Sequence, residues 1–132
     1  MKYGIIVAMQ VELDMLLREM TEVGHATLNG TEYHTGRIGD TEVVAMQCGI
    51  GKVNAAVGAL TLIENFHPDA VINTGIAGGT GGGAGVLDVV IGREVAYHDV
   101  RCGPGNVPYT VHGSGRQPRQ CTRPGAGAPR AL

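Results

Sequence analysis

Tyr3-Gly4-Ile5-Ile6-Val7-Ala8-Met9-Gln10-Val11-Glu12-Leu13 decides the fold, because the apolar period changes within it. Tyr3 to Ala8 is a short run rich in isoleucine and valine, which reads as a buried strand. From Met9 onward the apolar residues fall at Leu13, Leu16, Leu17 and Met20, one face of a helix. A strand feeding an amphipathic helix is the opening of a layered α/β domain. Gly24 then offers a C-terminal cap for that helix.

Working outward, Thr31 to Ile38 and Thr41 to Gln47 flank Gly39-Asp40, a pair suited to a tight turn, so two antiparallel strands are expected. Val53, Ala56, Val57, Leu60 and Ile63 return to the helical period, and His67-Pro68-Asp69 closes that segment. Ala70 to Asn73 reads as a second buried strand. Seven glycines fill the eleven positions from Gly75 to Gly85, and Val86 to Ile91 resumes a strand pattern around Asp88. The expected order is β, α, β, β, α, β, glycine loop, β, an α/β fold.

A length of 132 residues allows one domain that buries about two thirds of its unfolded surface. Phe66 and four tyrosines are the only aromatics, so the core must be built from Val, Ile, Leu, Met and Ala. Cys48, Cys102 and Cys121 are odd in number and lack C-x-x-C spacing, which fits a reducing cytoplasm and argues against a disulfide framework or a zinc site. Acids at Glu12 and Asp14 interrupt the only leader-like segment, and no apolar run is long enough to span a bilayer.

Charge divides the chain near residue 100. All 12 acidic residues lie in 1–99, whereas 100–132 carry Arg101, Arg116, Arg119, Arg123 and Arg130 and no acid. From Gly103 the glycines and prolines leave no window with either period, so 1–102 reads as the folded part and 103–132 as a Gly/Pro/Arg-rich tail, disordered or frameshifted. Out-of-frame reading of GC-rich codons yields Arg, Pro, Gly and Ala, and a frameshift is the preferred account of the tail.

Three loops follow strands at the position where α/β sheets bind ligands: Met9-Gln10-Val11-Glu12, Gly49-Ile50-Gly51-Lys52-Val53 and Asn73-Thr74-Gly75-Ile76-Ala77-Gly78-Gly79. Val53 after Lys52 removes the magnesium-binding hydroxyl of a Walker loop. The glycine run leads into a strand pattern, so a pyrophosphate there would lack the helix N-terminus of a dinucleotide site.

Taken together, these blocks resemble the nucleoside phosphorylase superfamily, and within it the 5'-methylthioadenosine/S-adenosylhomocysteine nucleosidases. The carriers are Gly4-Ile5-Ile6 through Ala8-Met9 with Glu12, Gly49 to Ala56, Asn73 to Gly79, and Tyr97-His98-Asp99. The resemblance implies a three-layer α/β/α fold with a mixed sheet, and hydrolysis of the N-glycosidic bond between adenine and a 5'-thio-substituted ribose. It also implies no metal or organic cofactor and, in full-length members, a homodimer.

Carried over by position, Glu12 becomes the general base that activates water. Its place in the first helical turn favours the anion, while burial would oppose it. Met9 and Ile50 match the contacts to the 5'-thio group, and Ala77 and Gly78 match positions that approach the nucleoside through the backbone. Ile76 stands where the family has a serine that holds the water. Members continue with a second half carrying a ribose-binding glutamate and an aspartate that protonates the purine, and no residue after Asp99 is acidic. His25, His34, His67, His98 and His112 never fall at local ligand spacing, so none is expected to bind metal.

Two rivals remain at this point. One is a phosphorolytic relative, against which the Glu12 carboxylate would repel phosphate. The other is a non-catalytic module whose arginine tail engages RNA by charge. The expected partner is a small adenosine thioether, with neither a membrane nor nucleic acid.

Overall fold

In the computed structural model, the described residues are 1–78, 83, 85–92, 96–101 and 108–110. They form two compact units, Met1–Ala77 and Gly78–Leu132.

The first unit is a five-stranded sheet with a helix on each face. β1 (Lys2–Val7) leads into α1 (Gln10–Glu19), followed by β2 (Thr21–Leu28), β3 (Thr31–Ile38), β4 (Thr41–Gln47), α2 (Lys52–Phe66) and β5 (Ala70–Asn73). The sheet order is β2-β3-β4-β1-β5. β4, β1 and β5 run parallel, while β2-β3 and β3-β4 are antiparallel. The sheet is therefore mixed, as the resemblance implies.

Alternation along the strands makes two cores. Ile5, Val7, Val43 and Ala45 pack with Leu13 of α1 and with Met20. Ile6, Tyr33, Val44 and Met46 face the other way and pack with Leu62 of α2. Glycine lets α2 sit close to the sheet: a Cβ on Gly4 would run into the Leu62 side chain, and one on Gly58 would stand 2.7 Å from Met46 Cε. α2 ends at His67, whose left-handed backbone (φ 47°) lets its N–H reach the Ile63 carbonyl.

Two expectations for this unit need correction. The chain leaves α1 at Met20, which is extended, and Gly24 lies inside β2 instead of capping the helix. A Cβ at Gly24 would stand 2.9 Å from Thr35 Oγ1, so that glycine serves a close cross-strand approach. β2 and β3 are joined by Asn29-Gly30, both with positive φ (51° and 76°), the backbone that favours a tight hairpin. β5 is a strand but an exposed one, pairing among the described residues with β1 on one side only. Ladder pairing does not by itself bury side chains.

In the second unit, Val86–Ile91 is not a strand. Leu87 takes a positive φ of 73°, and Asp88 closes a turn by accepting from the Gly85 N–H at 2.7 Å. Asp88 satisfies the backbone locally, and among the described residues the run has no partner strand to pair with. β6 (Ala96–Arg101) pairs antiparallel with β7 (Pro108–Thr110), so three tail residues do form a short strand. The remainder of 103–132 lies outside the described residues.

Candidate active site

β1, β4 and β5 run parallel, so the loops after Val7, Gln47 and Asn73 open at the same edge of the sheet. Their first residues extend the ladders: the Cys48 N–H donates to the Val7 carbonyl at 2.8 Å, and the Thr74 N–H to the Ile6 carbonyl at 3.1 Å. The Gln47 Nε2 adds a bond to the Ala8 carbonyl at 3.3 Å. These bonds fix the floor of the candidate site.

Glu12 lies in the first turn of α1 and turns back toward the strand end. Its Oε2 accepts from the Met9 N–H at 2.9 Å and the Ala8 N–H at 3.1 Å. Its Oε1 accepts from the Ile76 N–H at 2.9 Å, across from the third loop. The Ile76 amide, then the Met9 amide, hold the carboxyl below its ordinary 4.5; partial burial opposes them, and the Ala8 amide adds a smaller downward push. Hydrogen bonding thus prevails over desolvation, and Glu12 is ionised at neutral pH. At Gly75 a Cβ would stand 2.6 Å from Glu12 Oε1, so a larger residue would compete with the carboxylate for space.

The second loop is held by Asn54, whose Nδ2 donates to the Ile50 carbonyl at 2.8 Å. Gly51 has φ 107°, a conformation that favours glycine, and its carbonyl accepts the first helical bond, from the Ala55 N–H. Ile50 is 79% exposed. Burial pushes the Cys48 thiol up, and the negative Glu12 adds to this, so Cys48 stays protonated at neutral pH.

The structure therefore brings Glu12, Met9 and Ile76 into direct contact through hydrogen bonds. Ile76 contributes its amide, while its side chain is 82% exposed. Ala77 is exposed on the same loop, and Gly78 is exposed at the start of the second unit. Sequence reasoning missed Gln47, Asn54 and the close fit of Gly75 against Glu12. Only the last had a signal, a glycine directly before the residue that binds the carboxylate.

The Phosphorylase superfamily family model matches residues 2–128. The chain belongs to that superfamily. Among similar proteins are the 5'-methylthioadenosine/S-adenosylhomocysteine nucleosidase of Maridesulfovibrio salexigens, 48% identical over 99 residues, and that of an Exiguobacterium species, 48% identical over 100 residues. These matches cover 75% and 76% of this chain, and the chain spans 43% of the length of each relative. The S. pneumoniae nucleosidase solved with a transition-state inhibitor, MT-ImmA, superposes with a TM-score of 0.73 at 46% identity, covering 76% of this chain and 44% of that one. The Colwellia psychrerythraea nucleosidase solved with adenine gives 0.75 at 38% identity, covering 85% and 50%. The α/β fold of this superfamily member is thus shared with nucleosidases of known structure.

Proposed function

We propose that this chain is the N-terminal part of a nucleosidase that hydrolyses the N-glycosidic bond of 5'-methylthioadenosine and S-adenosylhomocysteine, releasing adenine. The observation that carries the proposal is the Glu12 carboxylate, held by three backbone N–H groups where the loops after β1 and β5 meet. In this reading water attacks the ribose carbon as its bond to the purine breaks. Glu12 takes the proton from that water. Met9 and Ile50 line the 5'-thio group, and Ile76, Ala77 and Gly78 meet the nucleoside. The departing adenine needs a proton from an acid, and the chain has no acidic residue after Asp99 to supply one.

Phosphorolysis is disfavoured by the same geometry. The three amides that could receive an anion already bind Glu12, and a second negative charge there would be repelled.

The proposal extends to a cytoplasmic homodimer acting in methionine salvage. The homodimer rests on the stripe Val53, Val57 and Leu60, exposed along α2 on the side away from Leu62, a face suited to a second copy. Among the described residues no helix is long and apolar enough to cross a membrane. Residues 1–102 are assigned to the nucleosidase domain and 103–132 to an out-of-frame tail, which reading the gene in its other two frames would test.

The enzymatic test is a chimaera joining residues 1–100 to the C-terminal part of one of the similar nucleosidases. It should release adenine from methylthioadenosine, and Glu12→Gln should lower kcat by a factor on the order of 10²–10⁴. A folded chimaera whose Glu12→Gln variant keeps full activity, or whose turnover requires phosphate, would overturn the proposal.

A further inference from the structure

The β2–β3 ribbon gathers a second group of side chains that the Glu12 site does not use. His25 and His34 stand directly opposite one another in the antiparallel register, and Glu32 faces Thr27 two pairs along. Alternation places His25, Glu32 and His34 on one face of the ribbon. His25 Nδ1 lies 3.2 Å from Glu32 Oε1, and His34 Nε2 lies 4.0 Å from Glu32 Oε2. The two imidazoles meet edge to face, 4.9 Å between centroids. One ligand atom from each of the three residues lies within 4.8 Å of the others.

His34 separates this group from an ordinary surface pair. It is 5% exposed, beside Ala45 in the register of β3 and β4, and its Nδ1 has no hydrogen-bond partner among the described residues. Its Nε2 points to the Glu32 carboxylate from beyond hydrogen-bond reach. An ion on Nε2 leaves Nδ1 as it is, so what favours an ion here is the approach of His34 Nε2 and His25 Nδ1 to one carboxylate. Donor atoms around a tetrahedral Zn²⁺ stand roughly 3.3–3.5 Å apart, as bond lengths of about 2.0–2.2 Å require. The observed 3.2 and 4.0 Å bracket that spacing, and His25 and Glu32, with side chains 58% and 59% exposed, can make the adjustment.

We propose that His25, Glu32 and His34 bind a divalent transition-metal ion of the zinc class. Two imidazoles and one carboxylate match such an ion, whereas Mg²⁺ and Ca²⁺ prefer all-oxygen shells. His34 binds through Nε2 and keeps its proton on Nδ1; water completes the shell. The ion clips β2 to β3, and so stabilises the sheet edge remote from the parallel strands. The two histidines lie nine residues apart, wider than the usual local ligand spacing, and the Asn29-Gly30 turn creates the pairing.

The test is calorimetric titration of the full, untagged chain with ZnCl₂, paired with thermal melts with and without the ion. One equivalent should bind with a rise in melting temperature, and Mg²⁺ should not compete. His25→Gln and Glu32→Gln, both at exposed positions, should each weaken that binding at least tenfold and abolish the thermal shift. His67→Asn, at the end of α2, should leave both unchanged. His34→Gln risks misfolding, so the two exposed variants decide the matter. No zinc binding by the parent chain, or equal binding by the parent and both exposed variants, overturns the proposal.

Discussion

Replacing Gly75 with alanine should release the Glu12 carboxylate from the third loop without unfolding the protein. The added Cβ would lie 2.6 Å from Oε1 and 3.1 Å from the carboxyl carbon, whereas ordinary contact begins at 3.4 Å. Either the carboxylate or the loop must therefore retreat by about 0.8 Å, the gap between 2.6 and 3.4 Å. The bond from the Ile76 N–H, now 2.9 Å, is then stretched past the 3.5 Å limit of a hydrogen bond. Gly75 does not have a positive φ, so alanine is tolerated by the backbone and restricts the unfolded chain, worth about 0.4–1 kcal/mol in favour of folding. Because the Ile76 amide is the largest influence holding Glu12 down, its loss should raise the pKa toward 4.5. The sign for stability follows. A carboxyl lowered on folding adds stability above its unfolded value and loses it as pH falls from about 4.5 through the folded value, so Gly75→Ala should be less acid-sensitive in that window. Carbon-detected NMR titration of the Glu12 carboxyl, alongside urea melts at pH 7 and below 4.5, measures both effects. An unchanged Glu12 titration in a folded Gly75→Ala chain would refute the reasoning.

Leu62→Ala empties a fully buried site beneath α2 and should cost about 2–5 kcal/mol, read as a lowered urea midpoint. Gly58→Ala should destabilise despite the better helix propensity of alanine, because Met46 Cε at 2.7 Å and Cys48 Cβ at 3.1 Å crowd the new methyl; the net cost is about 1–2 kcal/mol by thermal melt. The chain alone should release no detectable adenine from methylthioadenosine, since a missing proton donor removes a factor on the order of 10²–10⁴. Turnover within a hundredfold of a full-length relative, with contamination excluded, would show that the chemistry has been misplaced.

What the sequence revealed and what it hid divide along the range of the interactions. The change of period at Met9, the apolar positions of α2 and the Gly39-Asp40 turn are local signals, and each element they predict is present. Met20 misled because it completes a helical period while packing into the α1 core from an extended residue. Gly24 then looked like the stop of a longer helix, which hid β2. The apolar run from Val86 to Ile91 had strand composition without a partner, and Asp88 turned it. At the site, the family resemblance selected Glu12, but its contact with Ile76 joins residues far apart in sequence. His25 and His34 are closer in sequence, but their pairing depends on the β2–β3 register, which stayed hidden with β2.

The single bond from Ile76 to Glu12 makes proton uptake and loop anchoring one reciprocal equilibrium. A carboxylate accepts a stronger hydrogen bond than the neutral acid, so whatever clamps the loop also keeps Glu12 ionised. Conversely, each proton that Glu12 captures slackens the grip on residues 75–77. The carboxyl thus reports its own protonation state to the backbone of the third loop, and the loop is loosest once the proton has been taken.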